Sequence, residues 1–157
     1  MSTFTTEALM AFNAHYARII DDDQVEQWPD CFTDDCLYLV TTDENHRQGM
    51  QAGMIYADSR GMLQDRISAL REANVYERHR YRHLVGLPFV VKQEAGLAEV
   101  ETPFMVARIN RNGTTELFAT GRYLDEMVRS AAGELRLKQR IVVCDSQSMD
   151  TLLAIPL

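Results

Sequence analysis

Apolar residues recur at three- and four-residue spacing in two parts of the chain, which is the pattern of an amphipathic helix. The first part is residues 5–20, where Thr5 or Thr6 can cap the helix and three consecutive aspartates end it. The second part is residues 59–74. A shorter helix or turn is predicted at residues 25–31, which contain Trp28 and Pro29. The apolar stripes consist of Leu9, Phe12, Tyr16 and Ile19 in the first helix and of Met62, Leu63, Ile67 and Leu70 in the second.

The period changes to two in the second half of the chain, which indicates β-strands. The pair Asn112-Gly113 lies between two of these strands and predicts a two-residue turn with positive φ at both positions. The segment 42–53 is polar and is predicted to be a loop. Strands are predicted at residues 36–41, 83–92, 97–110, 114–128 and 134–146. In the last strand we expect one face to carry Leu135, Leu137, Ile141 and Val143 and the other to carry Arg136, Lys138 and Arg140.

Helices first and a long run of strands afterwards predict an α+β fold. We expect the N-terminal helices to pack in a long curved antiparallel sheet. This pattern fits the cone-shaped fold of the NTF2-like, or cystatin-like, proteins. A length of 157 residues is that of one domain, which we expect to span residues 1–157. Trp28 is expected to be a core anchor beneath the cone.

Charge and composition narrow the function classes. The net charge of −7 argues against nucleic-acid binding and gives no support for docking on an anionic membrane. The N-terminus lacks the basic and apolar regions of a signal peptide, and no apolar run approaches the length of a membrane span. The cysteine count is odd, and we expect three reduced thiols in a cytoplasmic protein: Cys31, Cys36 and Cys144.

No common catalytic or cofactor motif is present. There is no G-x-G-x-x-G, phosphate-loop or G-x-S-x-G element, and the Cys/His pairs of a Rieske cluster are missing. The four histidines form no evident set of two histidines and a carboxylate for iron. His79 and His83 are four residues apart, but Arg80 and Arg82 between them disfavour a further cation. We therefore expect no metal or cofactor in this chain.

Arginines are concentrated near His83. Arg66, Arg80 and Arg82 crowd three guanidinium groups, which is unfavourable unless carboxylates or carbonyls pair with them. Three explanations are weighed: a subunit interface or internal salt-bridge network, which we favour, a site for an anionic substrate, and a solvated surface. Carboxylates within the chain that could pair with them are Asp65, Glu72, Glu77 and Asp145; others would lie on a partner. The predicted interface or structural network is Arg66, Arg80, Arg82, His83 and Asp145.

The last six residues, 152–157, are also informative. They comprise five apolar residues and a proline, whereas a free terminus is ordinarily polar and frayed. We expect this tail to dock either on the core of its own chain or on a neighbouring subunit.

Four segments and two short motifs resemble one known family. The segments are AFNAHYARIIDDDQVEQWPDCFTDDCLY, DRISALREANVYERHRYRHLVGLP, TPFMVARI and LKQRIVVCDSQSMDTLLAIPL. The motifs are R-x-R-H at Arg80 to His83 and a basic-apolar strand with an acidic turn at Ile141 to Asp145. Over nearly its whole length the chain resembles the small, or β, subunits of Rieske non-haem iron aromatic-ring-hydroxylating dioxygenases. It is most similar to the branch that acts on terephthalate, with salicylate and ortho-substituted benzoate oxygenases as close relatives. Val85-Gly86-Leu87 departs from the usual apolar-Ser-Asn.

The resemblance implies an assembly and a division of labour. The expected assembly is an α3β3 hexamer in which small subunits contact one another and on which a reductase component acts. The large subunit is expected to hold the Rieske [2Fe-2S] cluster, a mononuclear Fe(II) and the substrate pocket, and to perform NAD(P)H-driven dihydroxylation of an aromatic carboxylate. The small subunit is mainly structural, and in a few members it influences substrate preference.

An alternative of another class is kept open. The same cone fold hosts stand-alone isomerases and dehydratases, which use an Asp or His inside the cone for proton transfer. Here the candidate pair is His83 with Asp65 or Asp145. An open pocket around a buried pair would favour this alternative, and a cone filled by side chains would oppose it.

Overall fold

The computed structural model describes residues 3–50, 53–73, 79–146 and 155–157. Asn74, Glu77 and tail residues 152–154, which entered the sequence predictions, lie outside these ranges. The helices are α1 (Thr6–Asp21), a 3₁₀ helix (Val25–Cys31), α2 (Asp43–Arg47) and α3 (Arg60–Ala73). The strands are β1 (Phe32–Thr42), β2 (Ile55–Ala57), β3 (His79–Val85), β4 (Phe89–Glu94), β5 (Leu97–Asn110), β6 (Thr115–Arg129) and β7 (Leu135–Cys144).

The two long helices begin and run as their apolar stripes predict. Of the two candidate caps of α1, Thr5 acts, because its hydroxyl accepts from the Ala8 N–H at 3.1 Å. The predicted loop 42–53 contains the short helix α2, which the Thr42 hydroxyl caps. Five residues are too few to show a helical period, so the sequence pattern could not reveal α2.

One seven-stranded sheet organises the chain, with the order β2-β1-β7-β6-β5-β3 and with β4 paired to β5. Neighbouring strands are antiparallel except β1 and β7, which are parallel. The α+β architecture is therefore confirmed, and the parallel pair is a feature that the strand pattern did not predict. The predicted strand 83–92 is divided into β3 and β4, because Pro88 has no N–H to donate to a ladder.

The β5–β6 hairpin turns differently from the prediction. Only Gly113 has a positive φ, of 87°, and the Gly113 N–H donates to the Asn110 oxygen at 2.9 Å. Asn112 instead uses its side-chain oxygen to accept from the Thr114 N–H at 3.0 Å. This local hydrogen bond makes the connection a turn followed by one left-handed glycine, so the predicted two-residue turn with two positive φ values is wrong.

A register shift in β7 reverses the expected orientation of Arg140. The pairing of β6 with β7 steps from Glu126–Gln139 to Met127–Leu137, which leaves Lys138 without a paired residue. One extra residue in a strand shifts the alternation of its side chains by one position. Arg140 therefore lies on the core side and is 0% exposed, although simple alternation from Leu137 placed it on the opposite face.

Arg140 is held by a buried ion pair inside the cone. Its Nε and Nη2 atoms donate to the two Asp125 carboxylate oxygens, each at 2.8 Å, and Nη2 also donates to Asn13 Oδ1 at 2.8 Å. The guanidinium lies over the rings of Tyr16 and Tyr123, at 4.3 and 4.0 Å from their centroids. Burial alone lowers the pKa of Arg140, but the Asp125 carboxylate more than offsets this and leaves that pKa raised.

The chain's last described residues dock on its own core. Leu157 is fully buried, and its backbone oxygen accepts from the hydroxyls of Tyr16 and Tyr38, each at 2.8 Å. Burial raises the pKa of Tyr16 to about 12, so this phenol stays protonated and remains a donor. The Leu157 N–H donates to the Tyr38 hydroxyl at 3.1 Å. The tail was expected to dock either on its own core or on a neighbouring subunit, and residues 155–157 dock on the core of their own chain.

Leu157→Ala should lower the free energy of unfolding by about 2–5 kcal/mol, because it removes a fully buried side chain and leaves a cavity. Urea unfolding of the full chain measures this loss. The control is Leu117→Ala, at a leucine that is 62% exposed, which should change stability by about 0.5 kcal/mol or less. Equal stability of the two variants would show that the docked tail contributes nothing.

Asp125→Asn should cost about 3–5 kcal/mol, because it leaves the buried Arg140 guanidinium without a counter-charge. The same unfolding measurement on Glu134→Gln provides the control. Glu134 pairs with Arg136 at 2.5 Å on the surface, where an ion pair contributes about 0–1 kcal/mol. A loss for Asp125→Asn no larger than the control's would refute the structural importance of the buried pair.

Candidate functional site

His83 lies in a buried pair that joins β3 to α1. Its Nδ1 atom is 2.7 Å from Asp21 Oδ1, and its backbone N–H donates to Asp21 Oδ2 at 2.8 Å. A carboxylate only accepts, so Nδ1 carries the proton. Both side chains are almost wholly buried. The carboxylate partner of His83 is therefore Asp21, and the pairs with Asp65 or Asp145 that the sequence suggested are wrong: Asp65 is exposed on α3, and Asp145 contacts Thr120.

The His83–Asp21 pair lies beside a groove between α1 and β3. The groove has a volume of about 460 Å³. Exposed apolar side chains contribute to its wall, and the guanidinium-bearing residues Arg18 and Arg82 also line it. From α1 the groove is lined by Met10, Asn13, Ala14, Ala17, Arg18 and Asp21, and from β3 and the following loop by residues 82–87.

The other predicted site residues do not gather around His83. Arg66 is half-buried on α3. Burial lowers the pKa of its guanidinium, and the nearby Tyr38 raises that pKa only in part. Arg80 and Arg82 are exposed on β3, and neither forms an ion pair with the part of the chain that the structure describes. Asp145 follows β7 and accepts from the Thr120 hydroxyl at 2.9 Å. The five residues therefore do not form one cluster: Arg80, Arg82 and His83 lie on β3, Asp145 follows β7, and Arg66 lies on α3.

The interior of the cone is filled by aromatic side chains. Trp28, Tyr38 and Phe32 pack edge to face with ring centroids 5.0 to 5.8 Å apart, and Phe104 stacks on Tyr123 at 4.5 Å. Trp28 is 0% exposed, as expected for a core anchor. Together with the Arg140–Asp125 pair these rings occupy the space in which a cone enzyme would bind its substrate. This packing opposes the stand-alone isomerase or dehydratase.

The described residues show few reactive groups. Within them, no group of three or more His, Cys, Asp or Glu side chains is placed to hold a metal ion. None of the helices in the described ranges is long and apolar enough to cross a membrane. The three cysteines are free and buried, and burial raises the pKa of Cys31 and Cys36 to about 11 and that of Cys144 to about 12. Such thiols are weak nucleophiles at neutral pH.

Sequence reasoning missed the polar residues that matter inside the fold. From the sequence pattern, Asp21 is only one of the three acidic residues that end α1. Asp125 carried a signal: it alternates with Tyr123 and Met127, so it lies on the apolar side of β6. A carboxylate on a core-facing position needs a buried cation, and this requirement points to an inward arginine on a neighbouring strand.

Comparisons with known proteins give a consistent result. The family described as "Ring hydroxylating beta subunit" matches residues 15–151. The chain is 57% identical to subunit beta 2 of the terminal oxygenase component of terephthalate 1,2-dioxygenase from Comamonas sp., covering 95% of this chain and 96% of that one. It is 37% identical to the anthranilate 1,2-dioxygenase small subunit of Burkholderia cepacia, covering 90% and 88%.

A solved structure agrees with these relatives. It is a β subunit assigned to an aromatic-ring-hydroxylating dioxygenase of Novosphingobium aromaticivorans, with a TM-score of 0.89, 40% identity and coverage of 97% of this chain and 96% of that one. The chain therefore belongs to the family of ring-hydroxylating β subunits. It is the small, non-catalytic subunit of a dioxygenase and not a stand-alone cone enzyme.

Asp21→Ala should destabilise the protein without impairing catalysis. It leaves two buried donors of His83 without an acceptor, and each such orphaned group costs about 1–3 kcal/mol. Thermal unfolding measures the loss of stability, and turnover per assembled complex should stay close to wild type, as it should for His83→Asn. Asp22→Ala is the control, since its carboxylate is exposed and pairs with an exposed arginine. A catalytic acid–base pair would instead lose roughly 10²–10⁴-fold in rate with stability unchanged.

Proposed function

We propose that this chain, as one domain spanning residues 1–157, is the structural small subunit of a cytoplasmic terminal oxygenase that dihydroxylates terephthalate. The single observation that carries the substrate is the 57% identity, over nearly the full length of both chains, to a terephthalate 1,2-dioxygenase β subunit. The 37% identity to an anthranilate dioxygenase small subunit keeps salicylate and ortho-substituted benzoates as the competing substrates.

The proposed assembly is an α3β3 hexamer. In it the large subunit holds the Rieske [2Fe-2S] cluster, the mononuclear Fe(II) and the aromatic substrate, and a reductase component supplies electrons from NAD(P)H. The chain described here acts as a structural subunit that contacts the other subunits of the hexamer. The filled cone supports this role, because aromatic side chains occupy its interior in the described residues, which leaves the surface as the part that functions.

The experiment is co-expression of this chain with a large subunit from the same organism, followed by purification of the complex and assay with its reductase. We expect a mass that fits three copies of each subunit and faster turnover of terephthalate than of salicylate or 2-chlorobenzoate. A chain that never associates with that large subunit would refute the subunit role. A complex that prefers another aromatic acid would refute only the substrate.

The five predicted network residues divide into two proposed roles. His83 and Arg66 are proposed to be structural. The hydrogen bond of His83 to Asp21 joins β3 to α1, and the half-buried Arg66 helps to pack α3 against the core. Arg80 and Arg82 on β3 and Asp145 after β7 are exposed and are proposed to contact other subunits. Asp145 also lines a shallow depression of about 410 Å³ beside Phe89, a phenylalanine that is largely exposed. An exposed aromatic side chain of this kind is typical of an interface.

Arg82→Ala in the co-expressed complex should reduce the yield of hexamer or lower its melting temperature, because a carboxylate or carbonyl on another subunit loses its guanidinium partner. The apparent affinity for substrate should be unchanged in the hexamer that survives. Arg111→Ala, at the exposed β5–β6 turn, is the matched control and should be nearly silent. If Arg82→Ala is equally silent, Arg82 belongs to a solvated surface.

A further inference from the structure

The two ends of the sheet carry different exposed surfaces. In the strand order β3 lies at one end and β2 at the other. Five interstrand steps of about 4.8 Å separate them, which is about 24 Å measured along the sheet. Both ends expose large apolar side chains, but their charged groups differ in sign.

The end formed by β3 carries the groove described above. Leu84 and Leu87 line it and are 64% and 68% exposed, and Met10 of α1 lines it from the opposite wall. Arg82 lies on the same rim. Within the described ranges the Arg82 guanidinium meets no carboxylate, so it is a cation available to a partner. We call this surface the α1–β3 groove.

The end formed by β2 carries an apolar patch with an acidic centre. Met54, Tyr56 and Met62 are exposed, with Tyr56 at 49%. Tyr56 and Met62 are joined through Asp58, whose carboxylate accepts from the Tyr56 hydroxyl at 3.5 Å and whose N–H points to the Met62 sulfur at 3.5 Å. Among the residues that the structure describes, the Asp58 carboxylate pairs with no cation. We call these four residues the β2-edge patch.

We propose that the β2-edge patch of one copy of this chain docks in the α1–β3 groove of the next copy, with Asp58 facing Arg82. The proposal rests on the proposed subunit role and adds the surfaces by which small subunits meet. Charge complementarity carries it: the Asp58 carboxylate, among exposed methionines and a tyrosine, is matched by the Arg82 guanidinium, among exposed leucines; Arg18, which also lines the groove, is already paired with Asp22. A contact between two different surfaces is head-to-tail, and it closes into a ring when the copies are related by a closed rotation, such as the three-fold rotation of the proposed hexamer.

The contact is made by side chains and not by adding a strand to the sheet. Asp21 already accepts from the His83 N–H on the unpaired edge of β3, so a continuous ladder with a further strand is blocked. β2 has only three residues, which is a short edge for strand pairing. The apolar groove and its arginine are what remain for recognition.

Cross-linking in the co-expressed complex tests the contact. The variants are Leu87→Cys, Tyr56→Cys and the double variant, each treated with a short bismaleimide; the native thiols are buried and do not compete. Each single variant should give no small-subunit cross-link. The double variant should give covalent multimers up to the size of the ring. A denaturing gel separates these from a link within one chain, because such a link leaves the mass of the monomer unchanged. Tyr56→Cys combined with Arg111→Cys, at a hairpin outside both surfaces, is the control and should not cross-link.

A charge swap tests the proposed ion pair. Asp58→Arg and Arg82→Asp should each weaken small-subunit association about tenfold or more, and the double swap should restore most of it. Sedimentation of the complex measures association. The inference would be overturned by any of three results: cross-links from Leu87→Cys alone, cross-links to the large subunit, or no rescue by the double swap.

The proposed function is judged separately. It stands if the hexamer still assembles in those cases, and it is refuted if this chain fails to bind the large subunit at all.

Discussion

The structure depends on one charged side chain in the middle of its core. Arg140 is fully buried, paired in two hydrogen bonds with Asp125 and enclosed by the rings of Tyr16 and Tyr123. A buried charge is tolerated only when a counter-charge pairs with it, and here the register of β6 and β7 places Asp125 beside Arg140. The register shift at Lys138 brings Arg140 to the core side, so β6, β7 and α1 must meet in one arrangement.

The same core explains why this cone performs no chemistry of its own. Tyrosine and tryptophan rings fill the interior, and two tyrosine hydroxyls are used to hold the backbone oxygen of Leu157. The hydroxyls of Tyr16 and Tyr38 and the Asp125 carboxylate are thus engaged in structural hydrogen bonds. Membership of the ring-hydroxylating β subunits agrees with this, since such a subunit works through its surfaces.

The surfaces divide according to the sheet. The His83–Asp21 pair closes α1 on β3 and shapes the groove, and the exposed leucines and Arg82 lie around it. The opposite end presents methionines, Tyr56 and Asp58. A buried pair that is structural in one chain thereby positions a surface suited to contacts between chains.

The sequence by itself determined the two long helices, most of the strands, the α+β architecture and the family resemblance, because these follow from local periodicity and from motifs. It also indicated that the apolar tail docks, but not on which surface. It also pointed to His83 and to the arginines near it. Only the tertiary structure decided that Asp21 is the partner of His83, since 62 residues separate them. It also decided that Arg140 faces inward and that β1 lies parallel to β7. A single unpaired residue reverses a strand's faces, and strand order joins distant segments, so neither is encoded in local spacing.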